Sequence, residues 1–231
     1  IAGRLKYQEK NLPNISKDSV YRFIKSVHGR NIEAYRTKKK TTRKRAGRRK
    51  KSLDGRTFID KRPHFINIRR NTGHAESDFI ESGKSGKGIL LVVVDRKLRV
   101  SFLEQILKVT ISNVHQAMLA IKKRFPELKT ITTDNDILLQ KHKELERLLN
   151  VKIYFCHPYH SWEKGTIENT NKHIRQYIPK GSDLSRYTNQ FIRLLEKKLN
   201  QRILKCLRYK TPEEALQASR KRKKHVSASK K

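Results

Sequence analysis

The chain has 231 residues, and its 56 Lys and Arg against 21 Asp and Glu give a net charge of +35 at pH 7. A charge of this sign and size attracts polyanions, and nucleic acids are the first class of partner to expect. No apolar run approaches the roughly 20 residues that cross a bilayer, and the two cysteines, Cys156 and Cys206, form no Cys-x-x-Cys pair, so the sequence argues against a membrane span, a zinc ribbon or a disulfide scaffold and for a reducing compartment.

The charge is distributed unevenly along the chain. Residues 78–171 contain 15 Lys and Arg against 11 Asp and Glu, whereas the flanking segments contain 41 against 10. A nearly balanced centre between basic arms is typical of a compact domain that acts on a polyanion held by its flanks. A basic RNA-binding protein of the ribosomal kind would also explain the charge and is kept as an alternative.

Residues 14–28 have the pattern of a short amphipathic helix, with Ser16 as the predicted N-cap. Its apolar stripe consists of Val20, Phe23, Ile24 and Val27, and its opposite face carries Lys17, Tyr21, Arg22 and Lys25. The pattern fits the recognition helix of a helix-turn-helix whose first helix is degenerate or truncated, and it fits an ordinary amphipathic helix equally well. Because the chain begins at Ile1 rather than Met, we expect upstream sequence to be missing.

Residues 36–51 form a strongly basic segment that contains no apolar pattern able to build a core. We expect this segment to be disordered when free and to lie along phosphates when bound, with release of counterions. The candidate phosphate-binding residues here are Arg43, Lys44, Arg45, Arg48 and Arg49. A second basic tail closes the chain at 220–224 and 230–231.

The rest of the chain is predicted to form three consecutive strands, followed by alternating helices and strands. Strands are predicted at 75–81, 89–94 and 99–103, then a helix at 112–125, a strand at 129–134, a helix at 138–149, a strand at 152–156, a helix that starts near Gly165 and carries Glu168, and a helix at 188–201. The segment 89–94 is continuously apolar, as in a strand buried on both faces. This order predicts an α/β fold of the ribonuclease-H-like type, a mixed five-stranded sheet flanked by helices, with basic N- and C-terminal extensions.

Three acidic residues of this predicted fold could meet. In a sheet of this order Asp78, on the first strand, lies beside Asp134, at the end of the fourth, and Glu168 on the following helix can lean over both. Three carboxylates in one place repel unless a cation joins them, and Mg²⁺ or Mn²⁺ takes such oxygen ligands. Two such ions about 4 Å apart can clamp the attacking and leaving oxygens of a phosphoryl displacement. The sequence therefore predicts cutting or joining of a nucleic-acid backbone.

The helix that carries Glu168 also presents Asn171, Lys172 and Arg175 three, four and seven residues further on, so the four side chains share a face. A solvated surface with an i,i+4 Glu–Lys pair is the simpler interpretation of such a face. The presence of Asp78 and Asp134 elsewhere in the chain favours a functional one.

Several motifs then resemble one family, the DDE transposases of bacterial insertion sequences, specifically the IS-thirty family. The motifs are Asp134-Asn135, Trp162-x-x-Gly165-x-x-Glu168-Asn169-Thr170-Asn171, Arg175-Gln176-Tyr177-x-Pro179-Lys180-Gly181-x-Asp183-Leu184, Gly73-His74-x-Glu76-x-Asp78 and a C-terminal signature at 199–214. Asp134 and Glu168 lie 34 residues apart, the separation that these enzymes favour. The resemblance covers 59–216, and residues 15–22 resemble the end of the family's helix-turn-helix.

The resemblance implies a polynucleotidyl transferase in which Asp78, Asp134 and Glu168 are catalytic acids that bind two Mg²⁺ or Mn²⁺ ions. It implies DNA contacts by Arg175, Lys172 and Lys164, beside those of Tyr21, Arg22 and the basic segment, and supporting roles for Asn135, Asn171 and Trp162. Its implied partners are double-stranded DNA, as transposon ends and target, and further copies of the chain. Neither a small-molecule substrate nor a membrane is expected, and the implied location is the bacterial cytoplasm, in association with the nucleoid.

We expect five segments: a partial helix-turn-helix (1–35), a basic linker (36–58), an integrase-like catalytic core (59–184), a helical extension (185–218) and a basic tail (219–231). The sequence departs from the family at Ala75, where the family usually has Trp, and at Asp136, where Gly usually follows Asp-Asn. Ile203 and Arg208 replace a Pro and a Gly. We interpret Asp136 as a solvated turn residue and Asp95 as a residue of a hairpin turn.

Three functions remain open on this basis. The preferred one is a metal-dependent transposase that cleaves DNA and transfers strands. A non-catalytic DNA-binding protein derived from a transposase is the second, and the presence of all three acids weighs against it. The third is the basic RNA-binding protein, which explains the charge but not the acids.

Overall fold

The computed structural model describes residues 1–9, 11–29, 31–32, 55–158 and 160–228, apart from the side chains at 161, 162 and 223–228. The chain divides into two compact units, residues 1–52 with 203–211 (the N-terminal unit) and residues 53–202 with 212–231 (the sheet unit). The basic segment 36–51, with its five candidate phosphate-binding residues, lies outside the described residues, as do Lys230 and Lys231.

The N-terminal unit contains helices α1 (Ala2–Tyr7) and α2 (Lys17–Lys25). The predicted N-cap is confirmed, because the Ser16 hydroxyl accepts a hydrogen bond from the backbone N–H of Ser19 at 3.0 Å. The rings of Tyr7 and Tyr209 stack at 5.4 Å. Arg208, which stands where the family has Gly, has a φ of +54°. A glycine adopts that left-handed conformation without the steric cost that an L side chain incurs.

The sheet unit is built on five strands: β1 (His74–Glu81), β2 (Ile89–Asp95), β3 (Ser101–Ile106), β4 (Thr130–Thr133) and β5 (Lys152–Phe155). Their order in the sheet is β3-β2-β1-β4-β5. The pairs β1–β2 and β2–β3 are antiparallel, whereas β1–β4 and β4–β5 are parallel. The predicted mixed five-stranded sheet is confirmed.

Helices cover both faces of this sheet. They are α3 (His64–Asn67), α4 (Ile111–Arg124), α5 (His142–Leu149), α6 (Gly165–Tyr177), α7 (Asn189–Asn200) and α8 (Pro212–Ala228). The central strand β2 is buried along its whole length, as its apolar sequence predicts. Leu91 and Val93 pack with residues of α4 and α5, whereas Leu90, Val92 and Val94 pack with residues of α6 and α7. None of the helices in the described part of the chain is long and apolar enough to span a bilayer.

The structure departs from the predicted elements in a few places. β3 starts at Ser101 rather than Arg99, because Arg99, with a φ of +60°, belongs to the turn after β2. Asp95, predicted as a residue of a hairpin turn, is the last residue of β2, and its carboxylate accepts the backbone N–H groups of Lys97 and Leu98 in the turn that follows. The predicted helix 138–149 is a 3₁₀ turn (Ile137–Leu139) followed by α5. Helices α1 and α3 were not predicted, and α8 runs on through most of the predicted basic tail.

Candidate active site

Two of the three predicted acids lie on neighbouring parallel strands. Asp78 on β1 pairs in register with Val92 of β2, so it lies on the face of the sheet that α6 and α7 cover. The parallel register of β1 and β4 pairs Glu76 with Thr132, and the same register extended by two residues brings Asp134 beside Asp78. Side-chain exposure is 30% for Asp78 and 61% for Asp134.

A lysine ammonium group joins these two carboxylates. Lys164 Nζ lies 3.2 Å from Asp78 Oδ1 and 3.2 Å from Asp134 Oδ2, and only 8% of the Lys164 side chain is exposed. Burial by itself would lower the pKa of Lys164, but the two carboxylates outweigh it and raise that pKa above its ordinary value. A charged ammonium group therefore occupies the place where both acids can share one cation.

The charged form of Asp78 is less well stabilised than the charged form of Lys164. Burial raises the pKa of Asp78 above its ordinary value, despite the opposing attraction of Lys164. Its second oxygen, Oδ2, accepts a hydrogen bond from the Asn171 amide at 2.8 Å. The amide oxygen of Asn171 is buried and has no hydrogen-bond partner among the described residues. Two carboxylates and a buried amide oxygen are donors that fit a hard divalent cation such as Mg²⁺ or Mn²⁺.

The third predicted acid does not reach the other two in this structure. The Glu168 carboxylate pairs with Lys172 Nζ at 3.0 Å, and 53% of its side chain is exposed. Within the described residues, the only set of three His, Cys, Asp or Glu side chains with ligand atoms within 4.8 Å of one another is His157, His160 and Glu163. The structure thus brings Asp78 and Asp134 together and turns the Glu168 carboxylate towards solvent.

The backbone position of Glu168 is nevertheless close to Asp78. Lys164 directly precedes α6 and Asn171 lies two turns into it, and both contact Asp78. Positions 164, 168 and 171 follow the i, i+4, i+7 pattern of one helix face. Glu168 therefore projects from the same face as the two residues that contact Asp78.

Glu76 and Arg96 fix the start of α6 on the sheet, a role that the sequence alone did not reveal. Glu76 is buried on β1, two residues before Asp78 and on the same face. Its carboxylate pairs with Arg96 Nε at 3.0 Å and accepts the backbone N–H of Ile167 at 2.9 Å. The available signal was the period-2 spacing of Glu76 and Asp78, which puts two acids on one face of a strand.

The predicted supporting residues are placed differently from one another. Asn171 contacts Asp78 directly, whereas Asn135 donates to the Cys156 carbonyl and accepts from Arg56 Nη1 at 3.0 Å, so it joins the ends of β4 and β5. Asp136 caps the following 3₁₀ turn by accepting the Leu138 N–H at 2.8 Å, in agreement with its interpretation as a turn residue. The side chain of Trp162 lies outside the described residues.

The predicted DNA-contacting residues lie in several environments. Tyr21 and Arg22 are exposed on α2, and Lys172 is exposed on α6 beside Glu168. Arg175 is half-buried and donates to the Pro179 carbonyl at 3.2 Å, and its burial lowers its pKa. Lys164, in contrast, is buried between the two acids.

Comparison with known proteins places the chain in a family. No family model matches it. It is 37% identical over 220 residues to the transposase for insertion sequence element IS4351 of Bacteroides fragilis, covering 93% of this chain and 67% of that protein. It is 33% identical over 226 residues to transposase InsI for insertion sequence element IS30A of Escherichia coli (strain K12), covering 93% of this chain and 58% of that one.

Solved structures share the fold. The catalytic core domain of BIV integrase superposes with a TM-score of 0.51 at 18% identity, covering 66% of this chain and 99% of that domain. A chain of the simian T-cell lymphotropic virus intasome in complex with PP2A regulatory subunit B56 gamma gives the same TM-score at 18% identity, over 62% of this chain and 53% of that one. These likenesses confirm the fold. The sequence identity to the two transposases confirms the predicted family: the chain belongs to the IS-thirty family of DDE transposases.

Proposed function

We propose that this chain catalyses metal-dependent cleavage and joining of DNA strands, with Asp78, Asp134 and Glu168 as its catalytic acids. The observation that carries the proposal is the position of the Lys164 ammonium group, 3.2 Å from a carboxylate oxygen of each aspartate. Two acids from separate strands that already share one cation are arranged to share another. The chain spans 67% and 58% of the lengths of the two transposases compared above.

Asp78 and Asp134 would hold a divalent ion, with Glu168 as the third carboxylate, and the proposed number of ions is two. Such ions, when bound, supply Lewis-acid stabilisation of the attacking and leaving oxygens during phosphoryl transfer. Oxygen-only donors favour Mg²⁺ or Mn²⁺ over softer metals. The raised pKa of Asp78 is consistent with a buried carboxylate that lacks a full complement of positive charge.

The chain's own residues would prepare the site in two movements. The Lys164 side chain would leave the two aspartates, since one cation must replace the other, and its charge would then be free to meet a DNA phosphate. The Glu168 side chain would turn from Lys172 towards Asp78. Asn171 would keep Asp78 oriented throughout, because its amide group already bonds the carboxylate at 2.8 Å.

The proposed substrates are the ends of an insertion sequence and a target DNA duplex. A 3′-hydroxyl group or a water molecule would attack a phosphodiester, and the new P–O bond would replace the bond to the leaving oxygen. The nucleophile would lose its proton to solvent, and the leaving oxygen would take up a proton from solvent. Lys172 and Arg175 on α6, Tyr21 and Arg22 on α2, and the basic segment would contact the backbone. We further propose that copies of the chain assemble on paired DNA ends in the bacterial cytoplasm, on nucleoid DNA.

A strand-transfer assay with labelled DNA ends tests the proposal. We expect joined product in Mg²⁺ or Mn²⁺ and none in chelator. Asp134→Asn should reduce joining by at least about 100-fold, because it removes a charged ligand from the site. The matched control is Asp136→Asn, two residues away, where the carboxylate caps a 3₁₀ turn, and this variant should retain joining.

DNA binding measured in parallel separates the alternatives. The proposal requires that Asp134→Asn binds DNA as tightly as the unmodified chain while joining is lost. Joining that survives Asp134→Asn or chelator would contradict the assigned acids. DNA or RNA binding without joining under any metal would favour a non-catalytic DNA-binding or RNA-binding protein.

A further inference from the structure

The turn that leads into α6 carries a second cluster of potential metal ligands, separate from the three acids. His157, His160 and Glu163 each offer one ligand atom, and these atoms lie within 4.8 Å of one another. The three residues are spaced by three positions, and Glu163 lies in the 3₁₀ segment Ser161–Lys164, for which His160 is the N-cap. In a 3₁₀ helix, side chains three residues apart eclipse each other, which explains why His160 and Glu163 meet.

We propose that His157, His160 and Glu163 bind a Zn²⁺-type transition-metal ion. Two imidazole nitrogens and one carboxylate oxygen are typical ligands of Zn²⁺, whereas Mg²⁺ and Mn²⁺ prefer oxygen alone. This inference does not depend on the proposed function, because none of the three residues belongs to the set of catalytic acids.

The distances suit such an ion. Glu163 Oε1 lies 3.1 Å from His157 Nδ1 and 3.3 Å from His160 Nδ1. Ligand atoms about 2.0–2.1 Å from a tetrahedral Zn²⁺ ion are themselves about 3.3 Å apart. Small adjustments of the three side chains would therefore accommodate an ion, with a water molecule as a fourth ligand.

The surroundings of His157 resemble the outer shell of a zinc site. Its other ring nitrogen, Nε2, lies 2.7 Å from Asp60 Oδ2. A carboxylate in this place fixes the tautomer and the orientation of a metal-binding histidine. The His157 ring also stacks on Phe58 at 5.3 Å, with 14° between the ring planes. His157 is thus oriented on two sides with Nδ1 directed at Glu163.

Glu163 is the most enclosed of the three, with 14% of its side chain exposed. Burial by itself would raise its pKa, but hydrogen bonds from His157 and His160 bring the pKa of Glu163 below its ordinary value. Its second oxygen accepts the backbone N–H of His157 at 2.9 Å. These contacts favour the ionised form of the carboxylate, which is the form that binds a metal ion.

The proposed metal-binding cluster lies next to the candidate active site in the sequence. Lys164 follows Glu163 directly and holds both Asp78 and Asp134. An ion bound by the three residues would restrain the backbone directly before Lys164, the residue whose ammonium group joins the two acids. The ion would thus stabilise the segment that directly precedes α6.

Zn²⁺ binding to the full chain tests the inference. The probes are Zn²⁺ alone, measured by competition with a chromophoric chelator, and Co²⁺ alone, whose visible absorption reports tetrahedral coordination. We expect one ion per chain. Asp60→Asn should weaken Zn²⁺ binding by about 10- to 100-fold, as losses of such outer partners do. His160→Gln, which removes a ligand, should weaken it further.

Two controls make the result specific. His64→Gln changes an exposed histidine on α3 and should leave Zn²⁺ affinity unchanged. The double variant Asp78→Asn with Asp134→Asn removes two catalytic acids and should also retain Zn²⁺. No Zn²⁺ bound, Zn²⁺ binding unaffected by both His160→Gln and Asp60→Asn, or Zn²⁺ binding lost in the double variant would each overturn the inference. Because the readout is metal binding, failure here is distinguishable from failure of strand transfer.

Discussion

Two carboxylates on the same face of β1, only two residues apart, are held in opposite ways. Glu76 is 1% exposed, and its partners are the Arg96 guanidinium group from the turn after β2 and the backbone N–H of Ile167. The Asp78 side chain is 30% exposed, and its side-chain partners are Lys164 and Asn171. One acid is bound by a guanidinium group and by a backbone N–H of α6, whereas the side-chain partners of the other are an ammonium group and an amide.

This difference indicates what each acid does. A buried charge with complete, rigid partners holds elements in place, and removing one partner leaves the other charge uncompensated. In the proposed function, Asp78 exchanges the Lys164 ammonium group for a metal ion. β1 would then combine an anchor for α6 with the proposed cation site.

Arg96→Met should have the largest effect on stability. It leaves the Glu76 carboxylate buried without its cation, and we expect the free energy of unfolding to fall by about 3–5 kcal/mol. Urea denaturation followed by circular dichroism measures this change. Lys97→Met, at the exposed neighbouring position, should change it by about 0.5 kcal/mol or less. Equal losses in the two variants would show that the Glu76–Arg96 pair does not anchor α6.

Lys164→Met should have a smaller effect that depends on metal. In chelator, Asp78 and Asp134 lose their shared cation, and we expect the free energy of unfolding to fall by roughly 1–3 kcal/mol. Mn²⁺ should then raise the melting temperature of Lys164→Met more than that of the unmodified chain, because no ammonium group has to be displaced. Lys180→Met, at an exposed position, serves as the control. Identical Mn²⁺ responses in all three proteins would mean that Lys164 does not compete with a metal.

The sequence predicts most of this fold because its patterns are local. The unbroken apolar run of β2 and the order of strands and helices require no knowledge of distant contacts. The proximity of Asp78 and Asp134 follows from that order, since it makes β1 and β4 neighbouring parallel strands. Short elements were missed, and α3, with four residues, is too short to show a periodic pattern.

What the sequence did not reveal depends on pairing and on rotamers. The Glu76–Arg96 pair joins a residue of β1 to a residue of the turn after β2, and neither residue identifies its partner. The helix periodicity placed Glu168 on the correct face, but it does not fix the rotamer that turns its carboxylate to Lys172. Lys164 was predicted as a DNA contact, whereas the structure shows it between two acids. A basic residue near acids in the sequence can either pair with those acids or remain free to contact DNA. Only the three-dimensional arrangement shows that Lys164 pairs with the acids.

The smallest predicted effect is a pH dependence of the free energy of unfolding. It compares Asp78, whose pKa is raised, with Asp183, whose pKa is lowered. Because burial raises the pKa of Asp78, the folded chain keeps that proton at pH values where the unfolded chain has lost it. This stabilising contribution is present below the ordinary aspartate pKa of about 4 and is lost as the pH rises through the folded pKa. In chelator, the free energy of unfolding of the unmodified chain should therefore fall relative to that of Asp78→Asn as the pH rises from about 4.

Asp183 provides the opposite case. It accepts the backbone N–H groups of Lys87 and Ser185, and these hydrogen bonds lower its pKa. Its contribution to stability is present above the ordinary aspartate pKa and is lost as the pH falls through the folded pKa. Urea denaturation at a series of pH values should thus give the unmodified chain an advantage over Asp183→Asn that grows with pH below about 4, and an advantage over Asp78→Asn that shrinks with pH above it. If the two stability differences changed with pH in the same direction, the charged form of Asp78 would be as well stabilised as that of the capping residue Asp183. The contrast between Asp78 and Glu76 on β1 would then not hold.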